Sequence, residues 1–152
     1  MYINPIKSNI HNFYMQIALK EAQKNLGNTS ENPSVGCVIT KDNSIIALGN
    51  TGLFGRPHAE INAFNFSKVS LINSEMYVTL EPCSHYGKTP PCVNSIIKKK
   101  VKKVYYSIKD PDIRSYNKSK SVLKSKKIVV TNNILNLEVK KFYRSYIKSK
   151  LN

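Results

Sequence analysis

A chain of 152 residues, 41% of them apolar, has enough material for one compact domain with a hydrophobic core, and is too apolar to be disordered. The opening residues, Met1 to Lys7, hold no apolar run long enough for a secretory signal, and no stretch reaches the ~18 apolar residues of a membrane span. These features exclude secreted and membrane classes and lead to the expectation of a soluble, cytoplasmic protein. The net charge of +15 is concentrated in the C-terminal third, where residues 98–152 carry seventeen of the 24 Lys and Arg against three of the nine Asp and Glu. That excess is mostly Lys, with few aromatic residues placed to stack bases. Asn, Ile, Lys and Tyr are abundant throughout, as AT-biased codon usage produces. The expectation is therefore a solvated basic surface and not a nucleic-acid footprint.

In chain order, Asn12 to Leu26 carries Phe13, Ile17, Ala18 and Ala22 at the spacing of one helical face, and Gly27 is a suitable stop. Val35–Thr40 and Ser44–Leu48 are β-rich runs on either side of Lys41-Asp42-Asn43, the pattern of a hairpin. Ala59–Phe66 is expected as a helix and Met76–Leu80 as a strand. Pro82–Pro91 is a loop rich in Pro, Gly and Ser. Pro91-Cys92 opens a helix to about Lys100, with three lysines at its C-terminal end complementing the macrodipole. Val104–Ile108 is a strand, Lys118–Ser125 a helix, Ile128–Thr131 a strand and Leu135–Lys148 a closing helix. Strands alternating with helices after an initial hairpin predict an α/β fold. The expected architecture is a three-layer α/β/α sandwich around a mixed, roughly five-stranded sheet, formed as a single domain over residues 1–152.

Three cysteines in a chain without a secretory signal argue against a disulfide scaffold and for metal binding or catalysis. Cys37 lies in a strand-like apolar run and is read as a small buried hydrophobe. Cys83 and Cys92 sit among polar residues, where packing does not explain them. With His58, in Pro57-His58-Ala59-Glu60, they provide one imidazole and two thiolates, a donor set suited to a single Zn²⁺. Three protein ligands leave a fourth tetrahedral position open, which is the pattern of a catalytic site and not of a closed structural one. His85 is the other donor in these segments and is expected to face the substrate. Helix starts at His58 and Cys92 place N–H groups where they stabilise negative charge on sulfur. Glu60 stands two residues past His58 on the first helical turn. It can reach a water at the open position without ligating the metal, pass its proton to a ring nitrogen, and then protonate a leaving amine. His-x-Glu followed by Pro-Cys-x-x-Cys is the signature of zinc deaminases, matched here except that eight residues separate the cysteines.

At these residues the chain resembles the deaminase domain of the riboflavin-biosynthesis diaminohydroxyphosphoribosylaminopyrimidine deaminases, within the cytidine-deaminase-like superfamily. The most specific feature is the string Pro82-Cys83-Ser84-His85-Tyr86-Gly87-Lys88-Thr89-Pro90-Pro91-Cys92, because most cytidine-deaminase-like enzymes have two residues between the cysteines. Asn32-Pro33-Ser34-Val35-Gly36-Cys37-Val38, Tyr77-Val78-Thr79-Leu80-Glu81 and Asp110-Pro111 are also similar to the family pattern. The resemblance spans about residues 13–146. It implies hydrolytic removal of the pyrimidine 2-amino group from a phosphorylated aminopyrimidine. It also implies that Asn32 contacts the substrate, and that His85 and Lys88 hold its base or phosphate end. A cation in a Gly- and Pro-rich loop suits a phosphate on its own merits.

Two positions depart from the pattern. Thr51 stands where the family has a histidine seven residues before the zinc histidine, so a substrate contact is expected to be lost or replaced there. Asn117-Lys118-Ser119 stands in place of a Gly-x-Gly turn. Because Asn tolerates left-handed backbone and Ser does so poorly, that loop is expected to shift. Many relatives continue into a reductase domain, so the expected partner is a separate reductase acting next in the pathway; nothing in the sequence conflicts with a homo-oligomer. Two other functions fit parts of the sequence: a tRNA or nucleotide deaminase of the same superfamily, favoured by the charge but opposed by the cysteine spacing, and a zinc-stabilised binding protein without catalysis, opposed by Glu60.

Overall fold

The computed structural model describes residues 5–151, with side chains from Asn9 onward. Its centre is a five-stranded mixed sheet in the order β2-β1-β3-β4-β5. The strands are β1 (Gly36–Lys41), β2 (Ser44–Asn50), β3 (Glu75–Leu80), β4 (Lys103–Ile108) and β5 (Val129–Thr131). β1 is antiparallel to both β2 and β3, whereas β3, β4 and β5 run parallel. The β1–β2 hairpin closes through Asp42 and Asn43, both at positive φ (50° and 63°), as a two-residue turn matched to strand twist requires. A bulge follows between Ile39 and Thr40. β1, β3 and β4 read as apolar runs because they are buried on both faces.

Six α-helices surround the sheet: α1 (Pro5–Gln23), α2 (Ala59–Phe66), α3 (Cys92–Lys98), α4 (Ser119–Ser125), α5 (Asn136–Phe142) and α6 (Arg144–Leu151). α1 and α5 cover one face, where Gly36, Val38, Tyr77, Thr79 and Tyr105 point, and α2, α3 and α4 cover the other. This is the expected three-layer α/β/α arrangement. Two glycines set the layer spacing. A Cβ on Gly36 would collide with the Ala18 carbonyl of α1, and one on Gly49 with the Ala59 carbonyl of α2. Cys37 is fully buried in the core, and burial pushes its thiol up.

Three details differ from the sequence reading. α1 begins a full turn and more earlier, with Pro5 in its first turn where the missing N–H is harmless, and it gives way to turns after Gln23. Its buried face is Met15, Ala18 and Ala22, while Phe13 is 56% exposed. The closing helix is two helices that meet at Tyr143, whose φ and ψ of −91° and 10° leave the α region although hydrogen bonds continue across the junction. The cause is burial of Tyr143 against the sheet. Its hydroxyl donates to the Ser34 carbonyl at 2.7 Å and accepts from Thr79 Oγ1 at 2.6 Å, and Thr79 in turn accepts the Gly36 N–H at 3.1 Å. No helix among the described residues is long and apolar enough to cross a membrane.

Candidate metal centre and active site

The site lies beyond the C-terminal ends of the parallel strands β3 and β4, where open α/β sheets place their ligands. Three segments converge there. His58 is the residue before the first turn of α2, with extended backbone at φ −66° and ψ 159°. Cys83 follows β3, and Cys92 is the first residue of α3, after Pro91.

The ligand atoms of His58, Cys83 and Cys92 all lie within 4.8 Å of one another. His58 Nδ1 is 3.3 Å from Cys92 Sγ and 3.7 Å from Cys83 Sγ. Zn–S and Zn–N bonds of about 2.3 Å and 2.0–2.1 Å around a tetrahedral ion put neighbouring S and N donors about 3.5 Å apart, so these residues fit one zinc. The Cys92 backbone N–H donates to Cys83 Sγ at 3.1 Å, a helix-start amide directed at a sulfur as the sequence suggested.

Protons among the three donors are shared unequally. A hydrogen bond from Cys92 holds the Cys83 thiol down at about 4, against the effect of burial and with help from His58. Its own hydrogen bond to Cys83 raises the His58 imidazole, and the same charge together with burial pushes the Cys92 thiol up. Thiolate and neutral imidazole are the ligating forms, so a bound metal ion displaces these protons. Glu60, on the first turn of α2, is 4% exposed and lies 3.8 Å through Oε2 from Cys92 Sγ. Burial pushes its carboxyl up to about 7, against the pull of His58.

A cavity of about 420 Å³ opens over this centre, and His58, Glu60 and Cys83 line it together with Asn32, His85 and Lys88. Every residue singled out in the sequence for the site is thus on this cavity or, for Cys92, buried behind it. Asn32 Nδ2 donates to the Gly55 carbonyl at 2.9 Å, which fixes the amide beside the cavity. His85 Nδ1 is 2.6 Å from Ser115 Oγ, so its ring is anchored by the loop after β4. Thr51 also lines the cavity, but its hydroxyl accepts the Val35 N–H at 2.8 Å and donates to the Pro33 carbonyl at 3.2 Å. The residue there braces the segment behind Asn32.

The sequence reading missed the other wall. Glu81, 2% exposed, accepts from the backbone N–H of Asp110 (3.1 Å) and Asn117 (3.0 Å) through Oε1, and from both N–H (3.2 Å) and hydroxyl (2.9 Å) of Ser119 through Oε2. This explains the substituted turn. Asn117 takes the left-handed backbone at φ 58°, and Ser119 starts α4 and contributes a hydroxyl that a glycine lacks. Asp112 binds the Arg114 guanidinium at 2.6–3.2 Å and has Lys150 of α6 at 3.7 Å, while Tyr146 of α6 donates to Asp110 at 3.0 Å. All five of these residues line the cavity. Asp110-Pro111 and Glu81 stood within recognisable segments, but no spacing signal linked α6 to the site.

A three-layer α/β fold that holds a His/Cys/Cys donor set beside a buried glutamate defines a zinc-dependent deaminase architecture. Residues 8–108 match the model of the cytidine and deoxycytidylate deaminase zinc-binding region, and the chain belongs to that family. It is 39% identical to a diaminohydroxyphosphoribosylamino-pyrimidine deaminase of Buchnera aphidicola subsp. Schizaphis graminum, over 90% of this chain and 92% of that protein. It is 35% identical to riboflavin biosynthesis protein RibD of Bacillus amyloliquefaciens over 89% of this chain, but spans only 36% of that longer protein. Among solved structures, RibD of Acinetobacter baumannii (form 2) superposes with a TM-score of 0.90 at 36% identity, covering 95% of this chain and 41% of that one.

Proposed function

We propose that the chain catalyses zinc-dependent hydrolytic deamination of 2,5-diamino-6-(5-phosphoribosylamino)pyrimidin-4(3H)-one. The products are 5-amino-6-(5-phosphoribosylamino)uracil and ammonia, in riboflavin biosynthesis. The observation that carries this reading is the convergence of His58, Cys83 and Glu60 on one cavity, with Cys92 buried beside them and His85, Gly87 and Lys88 of the segment between the cysteines on its wall. Likeness to the Buchnera deaminase along nearly all of that protein's length supports the substrate. It also supports a single deaminase domain over residues 1–152.

His58, Cys83 and Cys92 would hold the zinc, which would supply Lewis acidity that makes water a better nucleophile at neutral pH. Glu60 accepts a proton from the attacking water and delivers it to the pyrimidine nitrogen beside the reacting carbon. It then takes the proton of the newly added hydroxyl and gives it to the amine, which leaves as ammonia as the C–N bond breaks and the carbonyl forms. Burial raises the Glu60 carboxyl above the usual carboxylate range, which favours uptake of a proton from water. Asn32 contacts the pyrimidine, and His85 and Lys88 hold the base or phosphate end from the inter-cysteine loop.

The test is ammonia release from the riboflavin-pathway aminopyrimidine, compared with cytidine, deoxycytidylate and tRNA. Release from the aminopyrimidine alone is expected, and release only from the others contradicts the reading.

A further inference from the structure

Four cations line the cavity: Arg56, Lys88, Arg114 and Lys150. They are not equivalent. Arg114 and Lys150 are both tied to Asp112, at 2.6 Å and 3.7 Å. Among the described residues, Arg56 and Lys88 form no ion pair with any carboxylate. These two belong to the segments that carry the metal donors, with Arg56 two residues before His58 and Lys88 between Cys83 and Cys92.

Arg56 joins those segments. Its Nη1 donates to Thr89 Oγ1, next to Lys88, and its Nη2 lies 3.5 Å from where a Cβ on Gly87 would stand. A guanidinium has five N–H donors in a planar fork, and the neutral Thr89 hydroxyl engages one without reducing the charge. Two cations without a carboxylate partner, on segments that the Arg56–Thr89 hydrogen bond links, line the same cavity as His58 and Cys83 and can receive an anionic group of a ligand.

We propose that Arg56 and Lys88 form a paired subsite for a phosphate dianion, with Arg56 as the specificity-determining member that also straps the Gly87–Thr89 loop tip over the cavity. The proposal rests on the deaminase reading for the identity of the phosphorylated substrate, but its test does not need turnover. Titration calorimetry with ribose 5-phosphate and with ribose is the direct measurement. The phosphorylated sugar is expected to bind and ribose is not. Arg56→Ala should weaken ribose 5-phosphate binding about tenfold, and Arg56→Lys, which keeps the charge and loses the fork, should weaken it less. In turnover, Arg56→Ala should raise KM for the aminopyrimidine 5′-phosphate by a similar factor, and raise KM for the dephosphorylated nucleoside by a much smaller one.

Unchanged ribose 5-phosphate binding by Arg56→Ala overturns the proposal. Equal KM increases for the phosphorylated and dephosphorylated substrates do so as well. If phosphate binding depends on Arg56 while no ammonia is released from the aminopyrimidine, the subsite stands and the deaminase reading falls.

Discussion

Glu60 and Glu81 are both buried carboxylates on the same cavity, and their surroundings give them opposite tasks. Glu60 meets the metal donors through one long side-chain contact to Cys92, which leaves its carboxylate available for the proton exchange proposed for it. Glu81 accepts four hydrogen bonds and ties the end of β3 to the loop before α4. Glu60→Gln should therefore retain one zinc per chain, measured by atomic absorption, and lose turnover by roughly 10²–10⁴-fold, the usual worth of general acid–base catalysis. Full turnover in that variant would remove Glu60 from the proton path. Glu81→Ala leaves four donors without an acceptor and should lower unfolding stability by about 2–4 kcal/mol in a denaturant titration. A midpoint unchanged from the parent protein would show that the clamp contributes nothing. The first carboxylate was legible in the sequence because His-x-Glu has a fixed spacing. The second was not, since its partners are backbone amides 29 to 38 residues away.

At the scale of elements, hydrophobic period and turn chemistry located all five strands and the cores of α2, α3 and α4 to within a residue or two. Two features escaped. Tyr143 divides the last helix with neither Gly nor Pro to mark the break, because long-range hydrogen bonds to Ser34 and Thr79 hold it there. Phe13 fits the apolar period of α1, yet the face that docks is set by Gly36, which lets the backbone at Ala18 and Ala22 approach β1. Gly36→Ala should force α1 off the sheet and destabilise the fold by about 1–3 kcal/mol, read from the unfolding midpoint. A stability equal to that of the parent protein would mean that the contact relaxes freely. Because Asn32 and Val35 lie just before this strand, the same variant should also raise KM.

For the whole molecule, the candidate metal donors come from segments separated by up to 34 residues, so one ion bound there would join α2, the end of β3 and α3. Metal binding is then part of the free energy of folding as well as of the chemistry. The basic C-terminal third has a role that its charge count concealed. Lys150 and Arg114 neutralise Asp112 at the cavity wall, while the sequence alone presented them as solvated surface. The central claim joins this metal to one reaction, and it is tested by measuring ammonia release from the aminopyrimidine 5′-phosphate as zinc is removed by a chelator and restored. The account predicts release that rises in proportion to zinc up to one ion per chain, with a melting temperature that falls and recovers in step. Release that continues undiminished in the zinc-stripped protein would contradict it.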